Sequence, residues 1–125
     1  MKKRKVRFKE RKCTLSILCV YASLGAIGYD ELYLKTLRRG EFELPVHKFI
    51  DKKGEVFEGR GADEEASDIF KQYKTAFCLL IDAKNSKEMN PEQEKALTET
   101  LEFVKLFYGV DKVRSFIASA STFTM

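Results

Sequence analysis

Residues 46–60 read VHKFIDKKGEVFEGR, and this stretch describes a β-hairpin that ends in a Gly-Arg pair. The first strand is expected over 46–50, and residues 55–58 have the composition of its partner strand. Between them, Asp-Lys-Lys-Gly at 51–54 is typical of a hairpin turn, because Gly54 can adopt the positive φ that such a turn needs. The stretch therefore predicts two short antiparallel strands.

Further strands are predicted on both sides of the hairpin. Apolar stretches indicate buried strands at 14–22 and 76–81. A short edge strand is expected at 4–9, where apolar and basic residues alternate. Residues 63–73, after the hairpin, are typical of a helix or a structured loop.

A first helix is predicted between the first buried strand and the hairpin. Asp30 is the expected N-cap, and Gly40 is expected to end the helix. Glu31 fits the first turn, where an acidic side chain lies beside the positive end of the helix dipole. The predicted apolar face consists of Leu32, Tyr33, Leu34 and Leu37.

The last helix has the clearest sequence signals of the chain. Asn90 is the expected N-cap, Pro91 fits the first helical position, and Gln93 completes a capping box. Gly109 is expected to end the helix, and residues 113–117 then predict a final strand. The apolar residues at helical spacing are Leu97, Leu101, Val104 and either Tyr108 or Phe107.

The alternation of strands and helices predicts an α/β fold, a single domain with a central mixed β-sheet flanked by helices. The chain has 125 residues, of which 44% are hydrophobic, so one core is expected. No apolar run approaches the length of about 18 residues that spans a membrane, so no membrane-spanning helix is expected.

Charge is distributed unevenly along the chain. Residues 1–12 contain eight Lys or Arg and one Glu, whereas the rest of the chain is mildly acidic. This segment is described here as a basic N-terminal arm that includes the first strand. Such an arm can contact an anionic partner through phosphate groups or anionic lipid, or it can simply be solvated.

The cysteines and the histidine limit the possible chemistry. Cys13, Cys19 and Cys78 are too few for a disulfide scaffold, and free thiols fit a cytoplasmic protein. Since His47 is the only histidine, every site that needs two histidines is excluded. Residues 2–28 also have the order of a secretory signal, a basic stretch and then an apolar one, so secretion is the alternative location.

The order of these segments resembles the zinc-dependent N-acetylmuramoyl-L-alanine amidases, specifically the small phage lysozymes and the related peptidoglycan-recognition domains. The resemblance covers roughly residues 3–117, and it implies that residues 4–125 form one amidase-like domain. The closest match is 46–60, where the family has a histidine at the start of the hairpin and Gly-Arg at its end. The other matching segments are 5–11, 16–23, 75–81 and 90–97.

The departures from the family argue against its activity. The resemblance implies a first zinc histidine where Val20 or Tyr21 stands, and a second one within 114–118, which contains no histidine. Val46 occupies the position of the family's catalytic tyrosine. The loop that carries the third ligand and a catalytic lysine is expected to be missing, because the sequence ends at Met125. We therefore expect no metal, no cofactor and no catalytic residues.

The functional hypothesis is a non-catalytic amidase-like protein of phage or mobile-element origin in the cytoplasm of a bacterial host. It would hold a small ligand in the former substrate groove, either a peptidoglycan fragment or a nucleotide-like signal of host defence. The alternative is a protein–protein inhibitor or regulator of a host or phage enzyme such as an RNA polymerase. A residual hydrolase is the least favoured reading, and the oligomeric state is left open.

The predicted ligand-binding residues are Tyr21, Ser23, His47, Arg60 and Phe116. They are expected at one end of the sheet, in a cluster formed by Val20, Tyr21, Ser23, Val46, His47, Phe116 and Ile117. The alternative for His47 is a structural role, in which a buried, hydrogen-bonded ring lies beside the position of the family's zinc site. The alternative for Arg60 is a structural role, in which its guanidinium contacts a backbone carbonyl or a carboxylate.

Overall fold

A computed structural model describes residues 13–25, 28–38, 44–61, 64–67 and 74–118 of the chain. The expected strand at 4–9, the helix end at Gly40 and most of 63–73 lie outside these residues. The elements are β1 (Ser16–Tyr21), α1 (Tyr29–Arg38), β2 (Lys48–Ile50), β3 (Val56–Glu58), β4 (Ala76–Ile81), a 3₁₀ turn (Ser86–Glu88), α2 (Pro91–Tyr108) and β5 (Val113–Ile117).

The strands form one mixed sheet in the order β3-β2-β4-β1-β5. β2, β4, β1 and β5 run parallel, and only the β2–β3 pair is antiparallel. Tyr21 at the end of β1 lies opposite both Ile81 and Ile117. The predicted α/β fold, one domain with a central mixed sheet and flanking helices, is confirmed.

Apolar side chains cover both faces of the central strands. The α1-side cluster consists of Leu18, Val20, Ala22, Leu24, Leu32, Leu44, Val46, Phe49, Ala66, Ala76, Cys78 and Leu80. The α2-side cluster consists of Ile17, Cys19, Tyr21, Ile50, Phe77, Leu79, Ile81, Ala83, Leu97 and Val104. Because alternate residues of a strand point to opposite faces, the continuous apolar runs of β1 and β4 supply both clusters.

The predicted hairpin forms as a compact turn. Oδ1 of Asp51 accepts hydrogen bonds of 2.9 Å from the backbone N–H groups of Lys53 and Glu55. Gly54 has a φ of +81°, and a Cβ at this position would come within 2.7 Å of the Glu92 carbonyl oxygen. The turn is therefore packed against the first turn of α2.

Both ends of α2 match the sequence prediction. Asn90 and Gln93 form the expected capping box, and Gly109 ends the helix in the left-handed conformation with a φ of 66°. Leu97 and Val104 are buried in the α2-side cluster. Leu101 and Tyr108 are partly buried against that cluster, so Tyr108 rather than Phe107 continues the inward stripe.

The prediction for α1 was wrong in two details. The helix begins at Tyr29, so Asp30 lies within the first turn and is not the N-cap. Leu32 is buried, whereas Leu34 and Leu37 are exposed. Thr36, one turn after Leu32, is also fully buried, and its hydroxyl donates to the Leu32 carbonyl at 2.9 Å. Tyr33 is partly buried against the α1-side cluster, as predicted, so the inward face of the helix includes Leu32, Tyr33 and Thr36.

In the described part of the chain, neither helix has the length and hydropathy needed to cross a membrane.

Candidate functional site

His47 lies directly before β2 and is buried. Its Nδ1 accepts a hydrogen bond of 2.9 Å from the backbone N–H of Cys78, so Nδ1 carries no proton. In the neutral ring the proton is then on Nε2, which donates to the Glu64 carbonyl at 2.5 Å. Both ring nitrogens therefore bind backbone groups, which agrees with the structural role that was one of the two hypotheses for His47.

Arg60 lies just after β3 and is also buried. Its Nε donates to the Leu44 carbonyl at 3.1 Å, and its Nη1 donates to the Glu65 carbonyl at 3.2 Å. Gly59 precedes it because a Cβ there would overlap the Val46 carbonyl oxygen. Contacts with backbone carbonyls, one of the two readings of Arg60, fix its guanidinium beside the hairpin.

A groove of about 170 Å³ opens between α2 and the start of the hairpin. We call it the aromatic groove. The residues that line it are His47, Lys48, Glu58, Arg60, Phe77, Phe103, Val104, Phe107 and Tyr108. Its rim carries an ion pair in which Nζ of Lys48 lies 3.2 Å from Oε1 of Glu58. The groove thus joins an apolar wall on α2 to a charged rim on the hairpin.

Aromatic rings form a continuous path from His47 to the surface. His47 stacks on Phe77 with ring centroids 4.8 Å apart, and Phe77 lies 5.8 Å from Tyr108. Phe107 meets Tyr108 edge-on at 4.8 Å and stacks with Phe103 at 5.8 Å. These centroid distances are in the range of favourable aromatic pairs.

The outer end of this path is exposed. Phe103 and Phe107 are each 62% exposed, and Leu106 between them is 85% exposed. We call these three residues the α2 patch. Large apolar side chains that lie together on the surface mark an interaction site more often than isolated ones. The sequence interpretation did not assign Phe103 or Leu106 to a site, and it considered Phe107 only as a core residue.

The expected cluster of seven residues does not form. Val20 and Val46 belong to the α1-side cluster, whereas Tyr21 belongs to the α2-side cluster. His47 is hydrogen-bonded to Cys78, three register positions before Ile81, the partner of Tyr21. Steps of about 3.3 Å along a strand and about 4.8 Å between strands therefore separate Tyr21 from His47 by more than about 10 Å.

The remaining predicted residues lie at other places on the sheet. Ser23 is exposed after β1. Phe116 and Ile117 are 46% and 66% exposed on β5, the last strand of the described sheet, so they do not form the expected pocket wall. Of the five predicted ligand-binding residues, the aromatic groove brings together His47 and Arg60. A ligand-binding role for the five stays a prediction.

A family sequence model matches residues 31–122, which is most of the chain. That family is described as the ARF-like 2 binding protein BART. By this match, the chain belongs to the BART family. No curated protein sequence is significantly similar to the chain.

Solved structures with a similar fold come from another group of proteins. The amidase LysCS from Clostridium intestinale URNW has a TM-score of 0.68 at 15% identity, and the match covers 94% of this chain and 80% of LysCS. Drosophila peptidoglycan recognition protein SD has a TM-score of 0.71 at 13% identity, with 98% and 79% covered. The LCa–LCx recognition-protein complex with bound tracheal cytotoxin gives 0.67 at 14% identity, with 98% and 80% covered.

The two comparisons name different families, and they concern different properties. The match to the BART family is a match of sequence, whereas the architecture is given by the five-stranded sheet itself. At 13–15% identity, the likeness to amidases and recognition proteins shows the fold alone. It confirms the amidase-like fold that the sequence predicted for this member of the BART family.

The zinc ion of the amidases does not fit the residues present. At the implied first ligand position, Val20 has no donor atom, and it is buried in the α1-side cluster. Tyr21 is buried, and desolvation, helped by the nearby Cys19, raises the pKa of its hydroxyl to about 12. Within the described ranges, no three His, Cys, Asp or Glu side chains are grouped so that they could hold a metal.

Proposed function

We propose that the chain is a non-catalytic binding protein whose partner is another protein. The observation that carries this proposal is the α2 patch, where Phe103, Leu106 and Phe107 are exposed beside the aromatic groove. Exposed aromatic side chains next to a concave surface are typical of the centre of a protein interface. Membership in a family described by its binding to ARF-like 2 supports a protein partner.

The size of the aromatic groove also favours a protein partner over an enclosed small ligand. Pockets that enclose a whole small molecule usually have volumes of about 300 Å³ or more. The groove has about 170 Å³, enough for one side chain of a partner. In addition, both ring nitrogens of His47 are hydrogen-bonded to backbone groups, which weakens its expected role as a ligand contact.

A small peptidoglycan fragment is the second candidate. It is favoured by the similarity to a recognition-protein complex that contains tracheal cytotoxin. This candidate keeps the original hypothesis of a ligand in the former substrate groove. The phage origin, the cytoplasmic location, an RNA polymerase as target and the contact of the basic arm with an anionic partner stay predictions.

The absence of catalysis is part of the proposal. It is supported by Val20 at the implied first zinc position and by Val46 at the implied position of the catalytic tyrosine, because neither side chain has a donor atom. We expect no hydrolysis of purified peptidoglycan by the full chain, with or without added zinc. Release of free peptide stems at a rate above that of a blank would contradict this part of the proposal.

The partner is tested by calorimetric titration of the full chain with two probes in parallel. We expect saturable one-to-one binding of purified ARF-like 2 protein and no heat of binding with tracheal cytotoxin. Saturable binding of tracheal cytotoxin alone would overturn the protein-partner proposal and support the second candidate. If neither probe bound, ARF-like 2 would be rejected as the partner.

A further inference from the structure

We propose that the aromatic groove takes one bulky apolar side chain of a partner together with a carboxylate that lies next to it in the partner's chain. This inference rests on the proposed function, because it specifies the chemistry of the segment that a protein partner would insert. The occupant is thus an acidic segment with an apolar anchor.

The apolar half of the inference follows from the walls of the groove. Phe77, Phe103, Phe107 and Tyr108 line it, and its volume of about 170 Å³ is sufficient for one bulky side chain. The stacked pair of Phe103 and Phe107 offers ring faces to an incoming apolar group. An aromatic or long aliphatic anchor would bury these two exposed rings and gain the free energy of removing them from water.

The acidic half follows from an asymmetry in the rim ion pair. The Lys48 side chain is 22% exposed, whereas its partner Glu58 is 80% exposed. Such a pair contributes little to stability because one member is almost fully solvated. The Glu58 side chain can therefore rotate into the solvent at small cost. Lys48 then stays against the groove and can bind a carboxylate of the partner.

Two buried side chains that line the groove, Arg60 and His47, are compatible with an acidic occupant. Arg60 adds a second cation, held in place by the carbonyls of Leu44 and Glu65. The hydrogen bond from Cys78 keeps the His47 ring neutral, so the ring does not repel a nearby cation or attract an anion strongly. A cationic ligand would have to approach Lys48 and Arg60, and it is therefore disfavoured.

The experiment uses three capped dipeptide probes, acetyl-Phe-Asp-amide, acetyl-Phe-Asn-amide and acetyl-Phe-Lys-amide. Each probe is titrated into the isotope-labelled full chain, and amide and side-chain NMR shifts locate the site and give the dissociation constant. We expect the Asp probe to shift signals of Lys48 and Phe107 and to bind about 5-fold more tightly than the Asn probe. The Lys probe should bind most weakly.

Two variants separate the charge effect from the shape of the groove. Lys48→Met keeps the length of the side chain and should remove most of the difference in affinity between the Asp and Asn probes, leaving only the contribution of Arg60. Glu58→Gln should leave the affinity for the Asp probe unchanged or increase it, because it removes the competing carboxylate. Both changes are at the surface, and dispersed spectra verify that the variants are folded.

Several results would overturn the inference. If the Asp and Asn probes bound equally well in the groove, the proposed role of a carboxylate would be rejected. The proposal of a protein partner would not be affected. Tighter binding of the Lys probe, or weaker binding of the Asp probe to the Glu58→Gln variant, would reverse the charge of the occupant. Shifts confined to other surfaces, or no shifts at all, would reject the groove as the site of an acidic segment.

Discussion

The backbone N–H of Cys78 donates a 2.9 Å hydrogen bond to Nδ1 of His47, so the histidine ring connects the start of β2 to β4. On the other side of the ring, Nε2 donates to the Glu64 carbonyl. The ring also stacks on Phe77. One buried side chain therefore joins two strands and a loop.

His47→Ala is expected to destabilise the protein by about 2–5 kcal/mol, because it leaves a cavity and two buried backbone groups without partners. Urea unfolding measures the change. His47→Asn can retain the acceptor for Cys78, and His47→Gln can retain the donor for Glu64, so both should cost less than His47→Ala. A wild-type midpoint for His47→Ala would contradict the account.

Local signals in the sequence were sufficient for the hairpin turn and for both ends of α2, but not for the start of α1. The capping box of Asn90 and Gln93 and the positive φ of Gly54 are local features, so the sequence could predict them. The contacts that these residues make across the fold, such as the hydrogen bond from Gln93 to the Asp51 carbonyl, have no such local signal. The separation of Tyr21 from His47 depends instead on strand order and register. Those are long-range properties that spacing along the chain does not reveal.

The α2 patch was missed for a related reason. Six of the eight residues at 101–108 are apolar, which is more than one inward stripe of a helix can hold. Val104 faces the sheet, and Phe103 and Phe107 consequently point away from the core. An excess of apolar residues over one stripe was the available signal.

Lys52 and Asp82 form a second long-range link. Nζ of Lys52 lies 2.8 Å from Oδ2 of Asp82, whose side chain is buried, while that of Lys52 is half-exposed. Lys52→Met should therefore cost about 1–3 kcal/mol, since it removes the cation from a buried carboxylate that keeps its hydrogen bond from the Leu24 N–H. Asp82→Asn should cost less, because the amide oxygen can still accept from the Leu24 N–H. The double variant, compared in a mutant cycle, should be more stable than Lys52→Met alone. A double variant that is no more stable would show that the pair is not coupled.

Gly54→Ala is predicted to be more damaging than Gly109→Ala. Both glycines have a positive φ, but an added Cβ meets the Glu92 backbone only at Gly54, whereas nothing lies within 4 Å at Gly109. We expect a loss of about 1 kcal/mol for Gly109→Ala and about 2–4 kcal/mol for Gly54→Ala. Thermal unfolding compares the two variants. Equal losses would mean that the hairpin does not pack against α2 as described.

Stability is predicted to fall in alkaline solution. Burial raises the pKa of the Cys19 thiol from 9.0 to about 11 and that of the Tyr21 hydroxyl from 10.0 to about 12. The unfolded chain releases these protons first, so the stabilising contribution is complete below pH 9 and is lost progressively as the pH rises toward 12. Urea midpoints at several pH values measure the slope.

Tyr21→Phe should reduce the loss of stability above pH 10, because the buried ionisable hydroxyl is gone. Tyr33→Phe is the matched control, since Tyr33 is only partly buried on α1 and should leave the slope as in the wild type. If the two variants had the same alkaline slope, burial of the Tyr21 hydroxyl would not account for the effect.

The α2 patch is tested most directly by the affinity of the full chain for ARF-like 2 protein, measured with two matched double variants. Phe103→Ser/Phe107→Ser removes two exposed aromatic side chains that line the aromatic groove. Leu34→Ser/Leu37→Ser removes two exposed apolar side chains from α1. The account predicts that the first pair weakens binding by at least about 100-fold and the second by less than about 3-fold. Wild-type affinity of the first pair, or an equal loss in the second, would contradict a binding surface on α2.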